Sequence, residues 1–172
     1  MSYSFQNPSA EVIESYLKSA KTIAIVGLSH RKEAASYQVA HFLQAAGYRI
    51  IPVNPKLEGQ ELLGEHVYAY LKDIPFSIDI VDVFRRSEFL PDVAYDFLET
   101  DAKVFWSQIG LENEEAETIL RQANRQDIVM NRCTKIEYIL SLPCSGFFSP
   151  FPHGTGSLSV SREYLALRDG PR

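Results

Sequence analysis

At 172 residues and 45% apolar side chains, the chain is long enough to bury the core of one domain. A formal charge of −5 argues against a nucleic-acid surface, because phosphate backbones are bound through concentrated Lys and Arg. Two cysteines, Cys133 and Cys144, make neither a disulfide framework nor zinc-ligand spacing. No apolar run approaches the roughly 20 residues that span a bilayer, and the opening residues lack the basic and apolar regions of a signal peptide. The protein is therefore expected in the cytoplasm, off the membrane.

A lead-in helix is predicted over residues 9–20, with Val12, Ile13, Tyr16 and Leu17 on one stripe. Thr22–Val26 reads as an apolar strand ending in Gly27. A loop of small and basic residues leads to a helix that keeps Val39, Phe42, Leu43 and Ala46 on one face and stops at Gly47. Arg49–Val53 is the second strand, ending in Asn54-Pro55-Lys56. Residues 57–75 are turn-rich, with a short edge strand near Val67-Tyr68 and a helical turn from Leu71 stopped by Pro75. Ile78–Phe84 is the next strand, followed by a helix carrying Phe89, Leu90, Val93, Ala94, Phe97 and Leu98. Ala102–Trp106 is another strand. Asn113 caps a helix with Glu114 and Glu115 in its first turn and Ala116, Ile119, Leu120 and Ala123 facing inward. Ile128–Met130 and a short helix over Ile136–Leu140 complete the pattern.

Alternating strand and helix imply an α/β, Rossmann-like, doubly wound and mainly parallel sheet with helices on both faces. This domain is assigned to residues 1–142. Residues 143–172 form a tail rich in Pro, Gly and Phe, either ordered over the domain or a partner chain, or disordered.

In such sheets ligands lie beyond the carboxyl ends of the strands, where strand order reverses. The loops that matter are 27–36, 53–56, 84–87, 107–110 and 131–133. Ser29 and Ser36 can donate hydroxyls to phosphate oxygens, and Ser36 can instead cap its helix. Arg31, Lys32 and Lys56 supply positive charge, against the alternative of a solvated surface. Arg85 and Arg86 can clamp a phosphate or pair with Glu88 or Asp92. Cys133 fits a small buried hydrophobe better than a nucleophile. His30 has no carboxylate partner, and His41, His66 and His153 show no metal-like spacing. After Gly27 the next glycine is Gly47, so the Gly-x-Gly-x-x-Gly fingerprint of NAD sites is missing. An amide and a proline also stand where those sites place an acid. Pro52 and Pro55 fix the chain there so that an adenine ring can be held.

Five segments carry a resemblance: Ala24-Ile25-Val26-Gly27-Leu28-Ser29, Gly47-Tyr48-Arg49-Ile50-Ile51-Pro52-Val53-Asn54-Pro55, Leu63-Gly64-Glu65, Asp79-Ile80-Val81-Asp82-Val83-Phe84-Arg85-Arg86 and Trp106-Ser107-Gln108-Ile109-Gly110. They resemble the motifs of small stand-alone CoA-binding proteins, relatives of the N-terminal domain of the succinyl-CoA synthetase alpha subunit. The likeness spans roughly residues 10–142. It implies coenzyme A, free or acylated, held by Gly27, Leu28, Ser29, Arg31, Lys32 and Ser36 of the first loop. Val53, Asn54, Pro55 and Lys56 would form a second contact, and Val83, Phe84 and Arg85 a third. The pantetheine arm would run past Phe84 toward Gln108. The chain has Ser-His-Arg-Lys where the synthetase carries further glycines. The synthetase's phosphohistidine domain and ATP-binding partner have no counterpart in the likeness, which points to binding without catalysis. Two rivals stand beside it: an NAD(P)-dependent oxidoreductase, in which Arg31 or Lys32 serves a 2′-phosphate, and a subunit presenting CoA to an acyltransferase or ligase. Assembly with a second copy or a partner is assigned to the tail.

Overall fold

The computed structural model describes residues 2–143. Residues up to Ser141 form one compact unit. The expectations for the tail, including its part in assembly, concern residues that lie almost wholly outside those described.

The elements run α1 (Ala10–Ser19), β1 (Thr22–Val26), α2 (Ala35–Ala45), β2 (Arg49–Val53), β3 (Glu61–Leu62), β4 (Glu65–His66), β5 (Ile80–Val83), α3 (Leu90–Leu98), β6 (Val104–Ser107), α4 (Glu114–Gln122), β7 (Ile128–Val129) and α5 (Thr134–Ser141). Five strands make a parallel sheet in the order β2-β1-β5-β6-β7, while β3 and β4 pair antiparallel as a separate hairpin. The sheet strands are near-continuous apolar runs because both faces are covered. Side chains alternate between the faces. Ile23, Ile25, Ile80, Val104 and Trp106 pack with Ile13 and Leu17 of α1 and Val39 and Leu43 of α2. Ala24, Val26, Val53, Val81 and Val83 pack with Val93 and Phe97 of α3 and Leu120 of α4.

The predicted boundaries shift where side chains claim backbone groups. The strand expected from Ile78 begins at Ile80, because Asp79 turns its carboxylate to accept from the N–H groups of Lys21 (2.8 Å) and Thr22 (3.0 Å). The edge strand expected near Val67-Tyr68 is a single parallel bridge from Tyr68 to Val53. The regular pairing lies just before it, in the β3–β4 hairpin, whose turn residues Leu63 and Gly64 both have positive φ. Phe89 belongs to a 3-10 turn over Ser87–Phe89, and α3 starts at Leu90 with Pro91 tolerated in its first turn. Asn113 caps α4 as expected, its Oδ1 accepting from the Ala116 N–H at 2.9 Å.

The chain leaves β1 for β2 on one side, then returns to β5 on the other side of β1. A crevice therefore opens between the carboxyl ends of β1 and β5. Val26 stands opposite both Val53 and Val83, and Val83 opposite Ser107, so the strand ends are level.

Candidate functional site

Level strand ends bring Gly27, Asn54 and Phe84 into one row. Their backbones are stitched together: the Gly27 N–H donates to the Val53 carbonyl (2.8 Å), and the Phe84 N–H to the Val26 carbonyl (2.8 Å). Gly27 adopts φ +86°, a region that side chains rarely occupy. A Cβ there would stand 3.0 Å from the Phe84 carbonyl oxygen and 3.3 Å from Arg85 Cγ. The glycine thus permits the first loop to leave the sheet against the end of β5.

A cleft of about 410 Å³ opens above this row, on the α3 face of the sheet. Its floor is apolar, formed by Val26, Val53, Ala69 and Val93. Gly27, Asn54, Pro55, Lys56, Phe84 and Arg85 form the strand-end side, and Tyr70 stands half-exposed at the edge. Opposite, α3 presents Asp92 and Asp96. The Asp96 carboxylate accepts from the Leu71 N–H at 2.8 Å and the Lys72 N–H at 3.4 Å, and its burial holds its pKa above the usual carboxylate value.

The residues singled out from sequence divide into three groups. Gly27, Val53, Asn54, Pro55, Lys56, Phe84 and Arg85 line the cleft. Asn54 does so as a structural clasp. Its Nδ2 donates to the Leu28 carbonyl at 3.0 Å and its Oδ1 accepts from the Lys56 N–H at 3.0 Å, tying the two loops together. Arg85 lies over the Phe89 ring, 4.7 Å from its centroid, while exposed Arg86 pairs with Glu88.

Ser29, Arg31, Lys32 and Ser36 belong to the path into α2 and stand outside the cleft lining. Arg31 and Lys32 are exposed. Ser36 is buried inside the helix, where its Oγ accepts from the Ser29 N–H at 3.1 Å, so it is not the cap. The cap position is Ala34, which offers no side-chain oxygen and leaves the first N–H groups of α2 without a capping side chain.

Leu28 and Val83 are fully buried and pack in the two cores. Gln108 departs furthest from its expected place at the far end of the ligand. It is 4% exposed, and its Nε2 lies 2.8 and 2.9 Å from the two Asp82 oxygens and 2.7 Å from Thr134 Oγ1. Thr134 in turn donates to Asp82 at 2.8 Å. The physical reason is the alternation of β5: Val81 and Val83 face α3, so Asp82 faces the opposite layer, and Gln108 follows it. Burial pushes the Asp82 carboxyl up to about 7, against the lowering pull of its bonds from Gln108 and Thr134. Cys133 beside this cluster is buried, and burial pushes its thiol up, which suits packing better than nucleophilic attack.

Asp92, Asp96 and Tyr70 carry no sign in the sequence that they line a cleft. Helix periodicity sets the apolar stripe of α3, but nothing local indicates that its first two turns line a cleft with the ends of β1 and β2. Asp82 does have a signal, a carboxylate inside the apolar run Ile80–Val83, which a doubly covered strand tolerates only with partners.

Comparison with known proteins then identifies the domain. Residues 21–139 match the profile of the CoA binding domain. The chain belongs to that family. The matched residues of the CoA binding domain include every cleft residue named above. The chain is also 49% identical over 136 residues to the uncharacterized protein YneT of Bacillus subtilis (strain 168), covering 79% of this chain and 98% of that one. A solved structure from Thermus thermophilus, cell-free ID.343, superimposes with a TM-score of 0.75 at 33% identity, covering 78% of this chain and all of that one. The dinucleotide-forming acetyl-coenzyme A synthetase 1 of Ca. Korarchaeum cryptofilum shares the fold at 24% identity and a TM-score of 0.52, over 65% of this chain and 25% of that one.

Proposed function

We propose that the protein is a cytoplasmic CoA carrier or sensor that holds the nucleotide across the β1–β5 crevice and performs no chemistry on it. The observation that carries this reading is the cleft itself: a CoA-binding-domain match whose strand ends form an apolar floor flanked by Lys56 and Arg85. The phosphates of CoA would lie over the uncapped first turn of α2, with Lys56 and Arg85 supplying charge. The adenine would enter the apolar cleft beside Pro55 and Tyr70. The pantetheine arm would leave past Phe84 without reaching Gln108, whose amide is occupied and buried. The clasp made by Asn54 favours CoA over NAD(P), because the amide is spent on two loops and is not offered to ribose hydroxyls. Among the described residues no helix is long and apolar enough to cross a membrane.

Thermal unfolding with added nucleotides tests the reading. At a hundred times its Kd, a ligand bound only by the native state stabilises by about 2.7 kcal/mol. That corresponds to a rise in Tm of roughly 5–10 °C for a domain of this size. CoA is expected to give such a rise and NAD and NADP far less. An equal or larger rise with NADP would transfer the site to the oxidoreductase reading.

A further inference from the structure

The cleft is electrically lopsided, and a polyanion can sit in it only one way round. Lys56 and Arg85 stand on the strand-end side, whereas α3 supplies two carboxylates, Asp92 and Asp96. Phosphate brought against α3 would be repelled, so the end of CoA facing that helix must be uncharged. It must also donate hydrogen bonds, since carboxylates only accept. Asp96 is already engaged by the N–H groups of Leu71 and Lys72. Asp92 is exposed at the cleft and has no hydrogen bond or ion pair among the described residues. The apolar floor of Val26, Val53 and Ala69, with the Tyr70 ring at its edge, suits a flat heteroaromatic better than a flexible amide chain.

Resting on the CoA reading above, we infer that Asp92 is the specificity residue of the cleft, accepting from the exocyclic 6-amino group of adenine. The carboxylate selects an amino purine and disfavours a 6-oxo purine, whose oxygen would turn lone pairs toward a like charge. Discrimination comes from the lost charge-assisted bond and the repulsion that replaces it.

The test compares CoA with its deaminated counterpart, in which hypoxanthine replaces adenine, by isothermal titration calorimetry on the full chain. Wild type is expected to prefer CoA by about tenfold or more, the loss associated with one bond to a charged acceptor. Asp92→Ala should bring the ratio close to one. Asp92→Asn should do the same or invert it, because a carboxamide can donate to the 6-oxo group. Both variants should bind deaminated CoA more tightly than wild type does, since a negative charge has been removed. Asp92 is exposed on α3, so folding should be unaffected, as thermal melting of each variant will show. If wild type binds CoA and its deaminated form equally, or if Asp92→Ala keeps the wild-type ratio, the role of Asp92 is overturned while CoA binding stands. If wild type binds neither, the CoA reading falls and the inference falls with it.

Discussion

Replacing Asp82 by Asn should remove most of the pH dependence of stability between pH 5 and pH 8. The carboxyl is fully buried, and desolvation raises it from an ordinary 3.8 to about 7 in the native protein. A folded-state pKa above the unfolded one means that the native state holds a proton the unfolded chain has already released. The stabilisation is therefore complete below the unfolded value, near pH 4, and is lost as pH rises through about 7. At about 1.4 kcal/mol for each pH unit separating the two values, the whole effect is on the order of 4 kcal/mol, more than half of which falls between pH 5 and pH 8. The asparagine side chain is nearly isosteric with the protonated acid, and the Gln108 amide can rotate to offer its carbonyl to the new NH₂ group. Urea denaturation of both proteins at half-unit pH intervals measures the difference, and contributions common to both, including those of the four histidines, cancel on subtraction. The wild-type curve should fall relative to the variant across this window, so that Asp82→Asn gains on wild type in stability from pH 5 to pH 8. A difference between the two proteins that stays constant from pH 5 to pH 8 would refute the reasoning, because Asp82 would then be ionised throughout.

Gly27→Ala should destabilise by at least about 1–2 kcal/mol from the left-handed backbone alone, with more from the Cβ standing 3.0 Å from the Phe84 carbonyl; urea midpoints and CoA affinity should both fall. Lys56→Ala, at an exposed position, should leave the melting temperature unchanged and weaken CoA about tenfold, and its binding should depend less on salt than that of wild type. Asn54→Ala removes both halves of the clasp between Leu28 and Lys56 and should cost about 1–2 kcal/mol of stability along with CoA affinity. An Asn54→Ala protein as stable as wild type would show that the two loops hold their places unaided.

The order of the five sheet strands and of the helices, and the strand ends that form one wall of the cleft, are legible in the sequence; the β3–β4 hairpin is not. Apolar runs of strand length bounded by Gly27, Asn54 and Phe84 are local properties, and a parallel sheet gathers all such ends on one edge. Which face each side chain takes was another matter. Gln108 follows the same kind of strand end as Phe84 and turns to the same layer, away from α3, yet there its amide is taken up by Asp82 and Thr134 while Phe84 still lines the cleft. That choice depends on how the sheet is sandwiched between α3 and α5, which no spacing within one strand records. Ser36 and Ala34 differ by two positions, and only the start of α2 decided that the serine braces Ser29 while the alanine leaves the helix end open. Asp92 and Asp96 read as polar residues on an amphipathic helix. They became one wall of a cleft because folding brings the start of α3 beside the ends of β1 and β2, segments far apart in sequence. Periodicity fixes what an element is and which of its sides is apolar; packing between distant elements determines what its polar side faces.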